Sequence, residues 1–318
     1  MKLSLLLSLI LFTGICLVVA KPIKKGFDLE NATIPLKDIK DGGPRRDGIP
    51  SIDKPAFLSI AAAGYLKDED LVMSVSHRGT TRAYPIRILN YHEIVNDSID
   101  DLFFSVTYCP LCGTGMVFNR EIEGEVTTFG VSGLLYQSDV LLYDRASESL
   151  WTQLRMRSVA GSRVGQQLEW LASEFMTWVT WKERYKDGEV LSDKTGQRRN
   201  YRTTPYVGYE KTDRVYFPVP HYRDDLGIKH KILGIDVGGT ATAYDLDIFI
   251  PGKKFVDKVG DRTIHVSFNS QTQHAVVVDV DSGDLIPHVF AFWFAWQAFY
   301  PETRLFSFPK TNEENDGL

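Results

Sequence analysis

The sequence is poor in cysteine and carries no excess of positive charge, and each shortage excludes a class of protein. Only three cysteines occur among 318 residues, too few for a disulfide-dense scaffold. The formal net charge is −5, which argues against nucleic acid as a partner. Hydrophobic residues make up 43% of the chain and charged residues 24%, as in ordinary globular proteins. The chain is therefore neither globally disordered nor collagen-like.

Long apolar runs are also missing, except at the N-terminus. Lys2 precedes an apolar run over residues 3–19, and Ala20 ends this run. A positive start, an apolar stretch and a small final residue are typical of a secretory signal peptide, here residues 1–20. Cleavage after Ala20 predicts an extracytoplasmic protein, periplasmic or secreted, whereas an uncleaved segment would attach the protein to a membrane.

The rest of the chain predicts a β-rich α+β fold of mostly antiparallel strands with few helices. Short helices are expected at 90–97 and within 166–185, and the apolar stretch 289–300 predicts a buried helix. The predicted segments are an extended arm at 21–55, a β-rich unit at 56–165, a helix and connector at 166–230, a second β-rich unit at 231–308 and a disordered tail at 309–318.

The two β-rich units share a weak internal similarity. Residues 75–86 align with residues 235–246, and the matched identities are Gly79, Thr80, Ala83 and Tyr84 with Gly239, Thr240, Ala243 and Tyr244. One hypothesis is two intertwined β-rich repeats, with the chemistry kept in the first because the second contains no cysteine. The alternative is that unrelated hairpins resemble one another through common turn chemistry.

The two cysteines outside the N-terminal run lie close together in Cys109-Pro110-Leu111-Cys112-Gly113. A disulfide across so short a loop would stabilise the fold by only about 2 kcal/mol in the loop-entropy model. Predicted strands flank the motif, and Gly113 disfavours the helix on which thioredoxin-like sites depend. A tight turn whose backbone N–H groups face two thiolates is more typical of a metal knuckle.

Three functions remain open for this motif. It can bind a soft metal, copper or zinc, alone or with a redox role. It can exchange disulfides with a small thiol partner, with Cys109 as nucleophile and Cys112 as resolving thiol. It can also form a structural disulfide in a non-catalytic binding module.

A metal site needs ligands beyond Cys109 and Cys112, since the chain has no second cysteine pair. His92 is the nearest histidine in sequence and is the candidate third ligand, or the base for Cys109. Asp139 is the candidate residue that orients the ligands, and the alternative for it is a surface position with ordinary ion pairs. The structural alternative for His92 is an ordinary hydrogen-bonded histidine.

Two further motifs resemble motifs of known enzymes but lack a feature that those enzymes require. His92-Glu93-Ile94-Val95-Asn96 lacks the second histidine of the zinc-protease motif. Residues 234–240, GIDVGGT, look like the phosphate loop of sugar kinases, but too few residues follow for that fold. No ATP is therefore expected as a ligand.

Several segments together resemble a secreted family of unknown function, the domain-of-unknown-function family numbered 3179. They are residues 47–57, 83–97, 107–120, 129–145, 149–153 and 291–301. Tyr91 stands where the family often has tryptophan. The resemblance implies an exported single-chain protein and implies no particular reaction. It places six candidate residues in the family's recurrent segments: Asp47, His92, Cys109, Cys112, Asp139 and Trp151. Asp47, Asp139 and Trp151 are thus candidates for cofactor binding.

Overall fold

The computed structural model describes residues 21–307, so the predicted signal peptide and the predicted tail lie outside the described residues. The prediction of a β-rich, mostly antiparallel fold is confirmed. The α+β label fits only loosely, because the described part contains three short α-helices, Ile86–His92, Trp178–Arg184 and Trp293–Phe299. Four 3-10 helices lie at Leu36–Asp38, Ile60–Ala62, Tyr209–Lys211 and Leu246–Ile248. Within residues 21–307, no helix is both long and apolar enough to span a membrane.

Five larger sheets carry the fold and resemble the blades of a five-bladed β-propeller. Two of them hold the cysteine motif and its surroundings. The cysteine sheet contains, in spatial order, Trp170–Leu171, Thr114–Asn119, Leu102–Cys109 and Ile94–Ile99. The arm sheet contains Arg157–Ala160, Leu150–Thr152, Asp139–Asp144, Phe129–Tyr136 and Ile39–Asp41.

The other three large sheets hold the two similar hairpins and a three-stranded meander. The first hairpin sheet contains Glu174–Thr177, Leu71–His77, Thr80–Pro85, Glu189–Leu191 and Phe57–Ser59. The second hairpin sheet contains Val289–Phe292, Lys231–Val237, Thr240–Asp245 and Arg304–Phe306. The meander contains Lys254–Val259, Arg262–Asn269 and His274–Asp279, and two small ladders pair Ile23–Lys24 with Phe27–Asp28 and Glu121–Ile122 with Glu125–Val126.

The two hairpins pair their strands in the same register. His77 lies opposite Thr80 in the first, and Val237 lies opposite Thr240 in the second, 160 positions further along the chain. Three strands follow each hairpin, and the first of them begins at Ile94 in one unit and at Lys254 in the other. Each strand is separated from its counterpart by the same number of positions as the two hairpins. The common register supports the hypothesis of two related units.

Each hairpin sheet also contains one parallel pair, which is uncommon in an otherwise antiparallel sheet. Glu189–Leu191 runs parallel to the first hairpin's second strand, and Arg304–Phe306 does so in the second sheet. In both sheets an α-helix precedes the parallel strand, Trp178–Arg184 in one and Trp293–Phe299 in the other. The two units are thus completed in the same way, by segments distant in sequence.

A tryptophan from each of these helices packs on the neighbouring hairpin. Trp181 is fully buried, and its Nε1 donates a hydrogen bond to the Ser74 hydroxyl at 2.8 Å. Trp296 is also fully buried and lies against Gly234. Gly234 occupies the position in the second hairpin that Ser74 occupies in the first. The absence of a side chain at Gly234 makes room for the Trp296 ring.

Three local expectations differ from the structure. The predicted helix at 90–97 instead ends at His92, because Glu93 has a left-handed backbone (φ 57°) and β-branched residues continue as a strand. The stretch 289–300 begins as a strand, Val289–Phe292, before the helix starts. The arm at 21–55 does not merely extend over the surface, because Ile39–Asp41 pairs with Phe129–Tyr136.

Replacing Gly234 by alanine tests the packing of Trp296. A Cβ at Gly234 would lie 2.5 Å from the Trp296 ring, so we expect the free energy of unfolding to fall by about 1–3 kcal/mol. Urea denaturation measures this loss. Gly64→Ala is the matched control, because a Cβ there meets nothing within 4 Å. Equal stability of the two variants would contradict the packing described here.

Candidate functional site

The cysteine motif forms the turn between two antiparallel strands. Cys109 ends Leu102–Cys109 and lies opposite Thr114, the first residue of the next strand. The Cys112 N–H donates to the Cys109 carbonyl at 3.2 Å, and Gly113 adopts a left-handed backbone with φ 67°. Both thiols are buried and free, and they face the interior from a hairpin turn rather than from the start of a helix.

Asp139 meets this turn from the arm sheet. It begins Asp139–Asp144 directly after Gln137 and Ser138, both of which have positive φ (53° and 68°). Two such residues in succession form the kind of tight turn that matches the twist of paired strands. The Ser138 carbonyl accepts a hydrogen bond from the Cys112 thiol at 3.3 Å. The turn therefore fixes Asp139 beside the cysteines.

Cys109, Cys112 and Asp139 make up the thiol–carboxyl cluster. One potential ligand atom from each residue lies within 4.8 Å of the other two, and all three residues are buried. Two sulfur atoms and one carboxylate oxygen are ligands that zinc accepts. The cluster thus brings together three of the six residues singled out from the sequence.

The hydrogen bonding of Asp139 is incomplete. Its Oδ2 accepts from the Leu154 N–H at 3.1 Å, while its buried Oδ1 has no hydrogen-bond partner within the described part of the chain. Burial raises the pKa of Asp139 to about 7. A buried polar atom without a partner costs free energy, so this oxygen is available to a further partner.

Burial also governs the two thiols. It raises the pKa of Cys109 above its usual value and that of Cys112 well above it. A thiol with a raised pKa is a poor nucleophile near neutral pH. A bound cation reverses this preference, because thiolates are the form that ligates metals.

Glu93 is the functional candidate that sequence reasoning missed. Burial, followed by the charge of Asp139, raises its pKa to about 8, while a hydrogen bond with Tyr206 opposes the shift. The Glu93 N–H donates to the Leu89 carbonyl at 2.7 Å, and its carbonyl accepts from Tyr108 at the same distance. These bonds hold the residue next to the cysteine strand.

Residues of the predicted connector cover the cluster. The Tyr209 hydroxyl donates to the Leu111 carbonyl at 3.1 Å, which ties the connector to the cysteine turn. Tyr206 and Phe217 pack against the same apolar core that contains both cysteines. The connector therefore isolates the thiol–carboxyl cluster from bulk water.

His92 does not join the thiol–carboxyl cluster. Its Nδ1 donates to the Pro50 carbonyl at 2.7 Å, and its Nε2 accepts from the Tyr201 hydroxyl at 2.6 Å. Across residues 21–307 it belongs to no group of three close potential ligands. Both ring nitrogens are thus engaged in structural hydrogen bonds, as in the alternative considered from the sequence.

Asp47 and Trp151 also make contacts that leave them outside the cluster. Asp47 accepts hydrogen bonds from the Tyr143 hydroxyl and from Arg145. Trp151 donates from Nε1 to Asp144 at 2.8 Å and packs in the same core as the two cysteines. Asp47 holds the arm to its sheet, and Trp151 fills the core behind the site.

A second set of potential ligands lies far closer to solvent. His230 Nε2 is 2.6 Å from Asp245 Oδ1 and 3.8 Å from Asp247 Oδ2. Asp247 is exposed, and Asp245 also accepts the Asp247 N–H at 2.9 Å as a helix cap. His230, Asp245 and Asp247 thus have partners within the set itself. The set is a useful control for the buried cluster, where one carboxylate oxygen lacks a partner among the described residues.

The chain matches one family of known sequences. The profile described as "Protein of unknown function (DUF3179)" matches residues 46–303. This range includes the thiol–carboxyl cluster and Glu93, and the chain therefore belongs to that family. No curated protein and no solved structure shows a significant match.

The buried His92 predicts a stability that depends on pH. Burial lowers the pKa of His92, so the unfolded chain binds its proton more readily below pH about 6.5. This group alone lowers the free energy of unfolding as the pH decreases, by less than about 1.4 kcal/mol per pH unit. The raised pKa values of Glu93 and Asp139 act in the opposite direction over the same range. Urea denaturation between pH 7.5 and 5.5 measures the slope. His92→Gln removes only the contribution of His92, so the variant should gain stability relative to the unmodified protein as the pH decreases. The same slope in both proteins would contradict the assignment.

Proposed function

We propose that this member of the DUF3179 family binds one thiophilic metal ion, zinc or copper, through Cys109, Cys112 and Asp139. The observation that carries the proposal is the buried cluster of three potential ligand atoms within 4.8 Å of one another. The unpartnered Oδ1 of Asp139 supports it, because a cation would satisfy this oxygen.

The donor set favours zinc over copper(I). Copper(I) is satisfied by two soft thiolates, whereas a carboxylate oxygen is a harder ligand that zinc accepts at about 2.0–2.2 Å. Asp139 then acts as a ligand itself, rather than only orienting other ligands as expected from the sequence. The metal would hold both thiols as thiolates despite their burial.

Two alternatives make different demands on the same residues. Thiol–disulfide exchange needs an accessible thiolate, and the burial and raised pKa values of Cys109 and Cys112 weigh against it. A structural disulfide would leave Asp139 Oδ1 without a partner, and it would add little stability across so short a loop. In thiol–disulfide exchange, Asp139 could accept a thiol proton, because its side chain interacts with both Cys109 and Cys112; a structural disulfide gives the carboxyl group no such role.

Export remains a separate prediction, since the signal segment lies outside the described residues. In an oxidising compartment, two adjacent free thiols tend to form a disulfide. Metal ligation would keep Cys109 and Cys112 apart there, so the proposed site and the proposed location are compatible.

Elemental analysis of natively purified protein tests the metal site. We expect one zinc or copper per chain and free thiols at both Cys109 and Cys112 after denaturation in chelator. Asp139→Asn should weaken metal binding at least about tenfold, and the Cys109→Ser, Cys112→Ser double variant should abolish it. His230→Gln is the matched control, because it alters the partly exposed ligand set and should leave the metal content unchanged.

The contrary outcomes are distinct from one another. Protein without metal and with a Cys109–Cys112 disulfide would support the structural alternative. Protein without metal and with thiols that react rapidly in the folded state would support the oxidoreductase. Metal lost in His230→Gln but kept in the double cysteine variant would move the site to the second hairpin sheet.

A further inference from the structure

A groove of about 740 Å³ lies between the arm sheet and the second hairpin sheet. One wall comes from the arm sheet, from Thr152 to Arg157. Another comes from the turn of the second hairpin, at Asp236 and Gly239, and from the end of the helix Trp293–Phe299. Among the described residues that line the groove, none belongs to the thiol–carboxyl cluster. Ligand pockets have volumes of about 300–1,000 Å³, so the groove can hold a molecule of more than one ring.

The hairpin turn in this groove is the segment GIDVGGT, which looks like a phosphate loop in sequence. A phosphate loop leads into a helix, whereas this segment leads into a second strand, with Val237 opposite Thr240. Gly238 and Gly239 both have positive φ (57° and 84°), and the Gly239 N–H donates to Asp236 Oδ1 at 3.0 Å. A carboxylate can accept about four hydrogen bonds. The segment thus supplies the groove with an acceptor rather than with a phosphate site.

Two arginines make the groove locally positive in a chain whose net charge is −5. Arg155 and Arg157 both line it and are exposed, while Asp236 is the one acidic residue among its described lining residues. Within residues 21–307, neither arginine forms a salt bridge. The Arg155 guanidinium lies 4.5 Å from the centroid of the Tyr300 ring, and this contact fixes its position. The groove therefore presents two unpaired cations to a ligand.

Uncharged polar side chains in the groove use their protons within the protein. Gln167 Nε2 donates to the Arg155 carbonyl at 3.1 Å, and the Thr33 hydroxyl donates to the Val159 carbonyl at 3.4 Å. The amide oxygen of Gln167 and the hydroxyl oxygen of Thr33 can still accept hydrogen bonds. Together with Asp236, they favour a ligand that carries several O–H donors.

Aromatic side chains form an apolar part of the groove. Tyr136 and Phe299 line it, and their rings meet edge to face with centroids 5.7 Å apart. Met156 and Ile34 extend the apolar surface on the arm side. The C–H groups on one face of a sugar ring are also apolar and gain free energy when they pack on an aromatic ring. The groove thus combines cations, acceptors and aromatic rings.

We infer that this groove binds an acidic carbohydrate, a short oligosaccharide of uronic acids. Its carboxylates pair with Arg155 and Arg157, its hydroxyl groups donate to Asp236 and Gln167, and one ring packs against Tyr136. A neutral sugar would leave both arginines unpaired, and a small inorganic anion would leave the acceptors and the aromatic rings without a contact. The inference goes beyond the metal site and does not depend on it, because the two sites share no residue.

Isothermal titration calorimetry with digalacturonic acid tests this inference on the purified chain. The dimethyl ester of the same disaccharide is the matched ligand, since it keeps the rings and hydroxyl groups but removes both negative charges. We expect one digalacturonate to bind per chain and the ester to bind at least about tenfold more weakly, because charge-assisted hydrogen bonds to arginine are stronger than neutral ones. The affinity for digalacturonate should also fall as the salt concentration rises.

Variants of the groove assign this preference to individual residues. Arg155→Gln and Arg157→Gln should each weaken digalacturonate binding at least about tenfold and leave the affinity for the ester unchanged. Asp236→Asn and Ala298→Trp should weaken the binding of both ligands, the first by removing a charged acceptor and the second by filling the groove. Arg198→Gln is the matched control, because Arg198 is exposed, lies outside the groove and forms no salt bridge within the described residues.

Each contrary result overturns a stated part of the inference. Absence of digalacturonate binding would overturn it entirely and would leave the metal site unaffected. Equal affinity for the acid and its ester, or equal losses in Arg155→Gln and Arg198→Gln, would exclude carboxylate recognition by the groove. Succinate bound as tightly as digalacturonate would show a general anion site and overturn the assignment to carbohydrate. Unchanged binding in Ala298→Trp would exclude this groove as the site.

Discussion

The backbone pairing of Cys109 with Thr114 is the interaction on which the rest of the site depends. It closes a tight hairpin at Pro110–Gly113 and points both sulfur atoms inward. The same strand pairs on its other side with Ile94–Ile99, which brings Glu93 alongside. Asp139 completes the group only because a second tight turn, in the arm sheet, meets the first. Two turns and one strand end therefore assemble groups from three separate stretches of the chain.

Much of the fold could be anticipated because its signals are local. Alternating apolar residues and glycine-containing turns mark the strands on both sides of Cys109 and Cys112, and the structure places the motif between them. The match between residues 75–86 and 235–246 points to hairpins that do share one register. The five-sheet arrangement could not be anticipated, because it depends on pairings between distant segments such as Thr80–Pro85 with Glu189–Leu191.

The candidate site could also be predicted only in part from the sequence. Asp139 could be selected because it lies in a segment that resembles the family, whereas the residues alone favour a surface position. His92 was selected because it is the histidine nearest in sequence to the cysteines and histidine is a common metal ligand, but the left-handed backbone at Glu93 separates the two neighbours. His92 bonds with Pro50 and Tyr201, while the Glu93 carbonyl accepts a hydrogen bond from the Tyr108 N–H, next to Cys109. A carboxylate followed by Ile94 and Val95 was the signal that could have identified it.

The parallel pairings in the two hairpin sheets have a consequence for synthesis of the chain. The hairpin that starts at Leu71 cannot gain its parallel neighbour until Glu189 has left the ribosome, and the hairpin at Lys231 must wait for Arg304. Until then each hairpin presents an unpaired strand edge, the kind of surface on which nascent chains aggregate. A chain that crosses a membrane before folding avoids part of this hazard, since translocation keeps such edges extended and separated. The first unit can therefore close when Glu189 emerges, whereas the second must wait until nearly the whole chain has been made.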